Sequence, residues 1–188
     1  LWQRKIKAIE QTPGLSVDRE TGTFDDVAGL ENLKDLAQGL FTGRNPPKVI
    51  VRLEEIEKSL AGARKDSPGD SSGVSQDALQ TLLNAMEDNS WRGLLAEGVP
   101  GSGKSLISKV MGGQFGCLSL SADLGAMKAG LVGESEAKVR NFVKMVAAIA
   151  GKGGAFFVAT SNNPSALPPE LIERFSFGRW EFERPDRT

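Results

Sequence analysis

The residues Gly98-Val99-Pro100-Gly101-Ser102-Gly103-Lys104-Ser105 carry the most specific chemistry in this sequence. They match the pattern G-x-x-x-x-G-K-[ST] in full. Glycines at these spacings let backbone N–H groups turn inward on an anion. A helix that starts at the end of the loop offers its positive terminus to the same charge. In such a loop Lys104 reaches the β- and γ-phosphates of a nucleoside triphosphate, and the Ser105 hydroxyl ligates magnesium. A glycine-rich turn that merely caps a helix is the alternative. The strand-like Leu94-Leu95-Ala96 before the loop and the stripe Leu106, Ile107 and Val110 after it favour the phosphate loop.

A second set of groups follows another apolar run. Val49-Ile50-Val51-Arg52-Leu53-Glu54-Glu55 reads as a buried strand ending in two carboxylates. One acid, Glu54, suits the magnesium shell, and Glu55 suits the orientation and polarisation of an attacking water. Arg52 is out of place, because a charge in a central strand is costly unless it is paired. Glu54 and Glu57 are candidate partners. The same stretch also fits a helix over residues 53–60 with solvated charges. Asn162, just past the apolar Phe157-Val158-Ala159, is placed to bond the γ-phosphate or the attacking water, or to cap the next turn. Arg174 lies beyond a Leu-Pro-Pro turn. An arginine there reaches a neighbouring subunit's γ-phosphate and stabilises transition-state charge. Arg179 reads as a surface arginine.

These groups need a frame that gathers them. Helices are expected near residues 2–9, from Leu30 with Leu33, Leu36 and Leu40 on one face, and over residues 76–86 with Leu79, Leu82, Leu83 and Met86 inward. A further helix over residues 136–149 places Val139, Phe142, Val143 and Val146 on one stripe. Strands are expected at residues 49–51, 94–96, 117–120 and 155–159, with a weak fifth at 180–182. Residues 65–73 form a polar, glycine-rich loop. Alternating strands and helices imply an α/β three-layer sandwich around a mainly parallel five-stranded sheet. Ligands on such sheets sit at the carboxyl ends of the strands, where the loop, the acids and Asn162 all fall. Residues 1–22 read as an N-terminal helix and linker, and 23–188 as the nucleotide-binding domain, with a loop at 64–75.

Composition narrows the function classes. The chain has 188 residues, 39% of them hydrophobic, and a formal net charge of -1. That balance argues against a nucleic-acid motor and against anionic-membrane binding. There is no histidine, so zinc–histidine sites and histidine general bases are excluded. The single cysteine, Cys117, permits no internal disulfide and fits a reducing, cytoplasmic setting. Its apolar surroundings make it a core residue rather than a reactive thiol. No apolar run approaches membrane-spanning length.

Taken together, the motifs resemble the AAA family of ATPases within the wider AAA+ group, over about residues 24–186. Phe24-Asp25-Asp26-Val27-Ala28-Gly29-Leu30 is similar to the family's N-terminal loop, and the resemblance implies that Val27 and Ala28 pack around adenine. Residues 98–105 match Walker A, and the nucleotide contact is expected to run on to Leu106. Glu54-Glu55-Ile56-Glu57-Lys58 is similar to Walker B. Leu131-Val132-Gly133-Glu134-Ser135-Glu136 resembles pore loop 1, and Ala159-Thr160-Ser161-Asn162 resembles sensor 1. Residues 166–175 resemble the segment that carries the arginine finger, which assigns that role to Arg174. The resemblance implies Mg-ATP hydrolysis that remodels a protein or complex, in a homo-oligomer that is a hexamer in the intact family.

Four departures qualify this. The acidic segment precedes Walker A, whereas the family places it after, so residues 47–89 are transposed. The strands are expected to keep their places in the sheet with the crossovers rerouted. Glu54 stands where Asp is usual, and its extra methylene moves the carboxylate by about 1.5 Å. A misplacement of about 1 Å can cost on the order of a hundredfold in rate. Leu131 replaces an aromatic in the pore loop. The sequence ends at Thr188, before a helical lid and its sensor arginine, which predicts a less enclosed nucleotide. A nucleotide-dependent assembly module with little hydrolysis is therefore the alternative function.

Overall fold

A computed structural model describes residues 2–19, 22–60, 76–127 and 134–183. The glycine-rich loop at 64–75 and the pore-loop residues Leu131, Val132 and Gly133 lie outside them. The element order is α1 (Trp2–Glu10), β1 (Leu15–Val17), α2 (Glu31–Phe41), β2 (Val49–Leu53), α3 (Ile56–Ser59), α4 (Gln76–Asp88), β3 (Arg92–Gly98), α5 (Lys104–Phe115), β4 (Leu118–Ala122), α6 (Glu134–Ala150), β5 (Ala155–Ser161), α7 (Pro169–Ile172) and β6 (Arg179–Phe182).

The strands form one sheet in the order β1-β4-β2-β5-β3-β6. All neighbours are parallel except β1, which runs antiparallel to β4 through Leu15↔Ala122 and Val17↔Leu120. The expected five parallel strands are all present. The sixth, β1, falls in the segment read as helix and linker, and at three residues it is too short to show a period.

Side chains alternate across the sheet, as the pleat requires. Val49, Val51, Leu53, Phe157 and Ala159 face α4 and α6, packing on Leu79, Leu82, Val139, Phe142 and Val146. Ile50, Leu94, Ala96, Phe156 and Val158 face α2 and α5, packing on Leu33, Ala37, Phe41, Ile107 and Val110. This is the three-layer sandwich.

The face of α2 differs from expectation. Leu33 is buried, but Leu36 is 39% exposed, and Ala37 and Phe41 take the inward positions. Phe41 stacks on Phe115 at 4.6 Å and meets Phe156 edge-on at 5.7 Å. Those ring contacts set the helix phase, since aromatic burial outweighs one leucine position.

Candidate functional site

The phosphate loop takes the conformation its glycines allow. Gly98, Gly101 and Gly103 have φ of 142°, 79° and 91°, a region closed to most side chains. A Cβ built on Gly101 or Gly103 would meet nothing within 4 Å, so the loop leaves an open cradle. At Gly98 the same atom would lie 2.2 Å from the Phe182 carbonyl oxygen, so close pairing with β6 also requires glycine there. The first N–H groups of α5 have no partner inside the helix. They begin at Lys104, at the end of the loop.

Lys104 is 7% exposed. Its Nζ donates to the carbonyls of Gly98 and Val99 at 2.8 and 2.7 Å, and to Ser102 Oγ at 3.4 Å. Desolvation holds its pKa below the ordinary lysine value, against the opposing pull of the Glu57 and Glu55 carboxylates.

The acids reach the same place from β2. The strand ends at Leu53, Glu54 and Glu55 form the turn, and only then does α3 begin. The alternative helix over 53–60 is thus confined to its last turn. Glu55 has φ 46°, uncommon for a residue with a side chain, and donates its backbone N–H to Thr160 Oγ1 at 3.0 Å. Its carboxylate accepts from Lys58 Nζ at 2.6 Å and from Asn162 Nδ2 at 3.0 Å. The Lys58 hydrogen bond is the main cause of a carboxyl pKa below the usual range. Partial burial opposes it, and Lys58 charge, Asn162 and Lys104 reinforce it. Asn162 is also pinned through its backbone N–H, which donates to Glu57 Oε1 at 3.0 Å.

One cavity of about 430 Å³ is lined by Gly101, Lys104 and Ser105 of the loop, by Glu54 and Glu55, and by Thr160 and Asn162. Pro100, Gly103 and Leu106 complete its wall. Strand register does the gathering: Leu53 pairs with Ala159, and Ala159 pairs with Leu95. A larger cleft of about 630 Å³ opens at the other end of these strands, between Arg44, Arg92 and Phe177. It holds none of the phosphate-loop groups.

Other expected residues stand apart from the cavity. Val27 and Ala28 do not line it. Val27 is half-buried against the α2–α5 core, and its carbonyl accepts from Lys34 Nζ at 2.7 Å. Val99 is 45% exposed. Arg174 donates to Glu87 Oε2 at 2.6 Å within its own chain. Arg179 is exposed and holds Glu97 through two bonds, at 2.5 and 2.9 Å. Cys117 lies just before β4, half-buried, and burial pushes its thiol pKa up.

Three sets of contacts were not anticipated. Thr160 anchors the Glu55 turn, and Glu57 anchors Asn162. Asp18 clamps Arg52 with Nε at 2.9 Å and Nη2 at 2.6 Å, while Nη1 of the same guanidinium contacts Glu54. Of the two partners read from sequence, Glu54 is found and Glu57 is not. No local pattern links Asp18 to Arg52, 34 positions away. The signal in the sequence was Arg52 itself, a buried charge that demands a partner.

A glycine loop joining a strand to a helix, with acids at the end of a strand two places away in a parallel sheet, defines a P-loop nucleotide-binding α/β domain. A comparison with known protein families finds no match. Among curated proteins, the "Uncharacterized AAA domain-containing protein ycf46" of Gracilaria tenuistipitata var. liui is 43% identical over 140 residues, covering 74% of this chain and 21% of that protein. The protein of the same name from Guillardia theta is 28% identical over 124 residues, covering 46% and 24% respectively. The chain thus spans a quarter or less of these relatives. Among solved structures, the FIGL-1 AAA domain in complex with ADP aligns with a TM-score of 0.49 and 16% identity, over 99% of this chain and 63% of that one. The chain has an AAA-type ATPase core.

Proposed function

We propose that this core binds Mg-ATP on residues 98–105, hydrolyses the terminal phosphoanhydride, and couples turnover to remodelling of a protein or complex. The shared cavity of about 430 Å³ carries the reading, because it gathers phosphate-binding, acidic and polar groups from three strands. The open cradle at Gly101 and Gly103 fits a polyphosphate, and Lys104 rests on carbonyls that a phosphate oxygen outcompetes. Ser105 and Glu54 are hard oxygen donors of the type magnesium takes. Magnesium, when bound, neutralises charge on the β- and γ-phosphates.

The chain's own groups do the rest. Lys104 binds the phosphates. Glu55 stays ionised and aims a water, with Asn162 and Lys58 fixing its two oxygens. Asn162 reads the γ-phosphate. Arg174 acts on a neighbouring copy once it leaves Glu87. A homo-oligomer in a cytoplasmic setting is the corresponding context. Among the described residues, no helix is long and apolar enough to cross a membrane.

The second reading is a nucleotide-dependent assembly module with little hydrolysis. The contact of Arg52 with Glu54 favours it, because the carboxylate is already engaged by a cation. Phosphate release with Mg-ATP, measured beside Lys104→Ala, separates the two. Turnover above that control supports the ATPase. Bound ATP with no turnover above it leaves the module.

A further inference from the structure

Arg52 lies in β2 and is 4% exposed. On its strand it shares the face of Ile50, so its stem points toward the α2–α5 side of the sheet. Asp18 follows β1 and is fixed twice. Its backbone N–H donates to the Ser119 carbonyl at 3.0 Å, and its Oδ2 accepts from Ser119 Oγ at 2.8 Å. Two guanidinium nitrogens of Arg52 lie on this fixed carboxylate. That two-point fork leaves the guanidinium little freedom, so its third nitrogen is aimed at Glu54. Glu54 is the exposed end of the triad and lines the nucleotide cavity.

We propose that Arg52, held by Asp18, is a positioning residue that sets the magnesium requirement of the nucleotide site by partly neutralising Glu54. The inference rests on the reading of that cavity as a Mg-nucleotide site. A divalent cation drawn to Glu54 meets a carboxylate already engaged and a fixed positive charge behind it. A fixed positive charge beside a carboxylate weakens its attraction for a second cation. Asp18 works in the opposite direction, because it draws part of the guanidinium charge away from Glu54. The short edge strand β1 is then what tunes the metal site, through a residue that never touches it.

The test is a magnesium titration of fluorescent ADP binding, followed by anisotropy, which needs no turnover. The double variant Asp18→Leu with Arg52→Met replaces the buried pair with apolar groups, an exchange that is often neutral or stabilising. It should lower the half-saturating magnesium concentration several-fold, with affinity in EDTA unchanged. Asp18→Asn keeps the shape, releases the guanidinium onto Glu54 and should raise the same midpoint several-fold. A purely structural role for the pair would not move the two variants in opposite directions. Thermal melts identify which variants fold, and in any folded variant a shift of the stated sign supports the role while a shift of the opposite sign overturns it. An unmoved midpoint in a folded variant, with wild-type binding still magnesium-dependent, overturns the role of Arg52 alone. Nucleotide binding that is absent, or unchanged by Lys104→Ala, overturns the cavity reading and this inference with it.

Discussion

Replacing Lys104 with Met removes one charge at nearly constant length, and the structure sets what should follow. In the free chain the ammonium donates to the Gly98 and Val99 carbonyls at 2.8 and 2.7 Å. Bound polyphosphate exchanges these neutral acceptors for anionic ones. Hydrogen bonds between charged groups contribute about 1.5–3 kcal/mol each, and the lost carbonyl contacts offset part of that. A net of about 2–3 kcal/mol corresponds to roughly 30- to 150-fold weaker nucleotide binding. The pH profile sharpens the case. Desolvation lowers the Lys104 pKa in the free chain, and a polyphosphate favours the charged form and raises it. Affinity is therefore full below the free-chain pKa, falls as pH rises through it, and levels off above the bound-state pKa. Between the two values each binding event takes up a proton. Calorimetry in two buffers of different ionisation heat detects that uptake in the native chain, and Lys104→Met abolishes it. A folded Lys104→Met that binds within threefold of the native chain, with the same pH profile, refutes the placement of phosphate on this loop.

Other substitutions probe other parts of the arrangement. Glu55→Gln should retain ATP binding while phosphate release falls on the order of a hundredfold or more, the usual loss when a positioned base is removed; equal turnover would move the water-orienting role elsewhere. Gly98→Ala places a Cβ against the Phe182 carbonyl at a φ of 142°, and should cost about 2–3 kcal/mol in urea unfolding. A loss under 0.5 kcal/mol would mean that β6 yields without cost. Burial raises the thiol pKa of Cys117, so at pH 8 iodoacetamide should alkylate it several-fold more slowly than free cysteine, and unfolding in urea should erase the difference.

Legibility in the sequence followed the distance between interacting residues. The phosphate loop is contiguous, and its glycines declare their backbone conformation by type alone, so residues 98–105 were readable without any knowledge of the fold. The acids of β2 were readable as the end of an apolar run. The network around them was not. Thr160 is 105 positions from Glu55, and Asp18 is 34 from Arg52. Such pairs are set by strand register, which no local period encodes. β1 was invisible for a related reason, since three residues cannot display alternation, and its pairing depends on β4 more than a hundred positions later. On α2 the period was right but the phase was not. Stacking of Phe41 on Phe115 outweighed the spacing of the leucines, and Leu36 turned outward.

The order in which the chain visits the acidic strand and the phosphate loop bears on how such a site can be built. In the chain β2 comes first, then β3, then β5. In space β5 lies between the other two, and its residue Ala159 pairs with both Leu53 and Leu95. Just past that shared level, β2 turns out Glu54 and Glu55, β5 turns out Thr160 and Asn162, and β3 runs three residues further to Gly98. The convergence therefore depends on two parallel registers and on where each strand ends. It does not depend on which strand the chain visits first, because the connections leave from the carboxyl edge and return at the other. A rerouted connection preserves the cavity as long as both registers hold. A one-residue slip of β2 against β5 would do the opposite, sending Val49, Val51 and Leu53 to the wrong face and drawing Glu55 away from Thr160 and Asn162. The pairing of Arg52 with Asp18 opposes that slip, because the slip would turn the guanidinium toward the apolar α4–α6 face. That buried ion pair thus also helps to hold the acids opposite the loop.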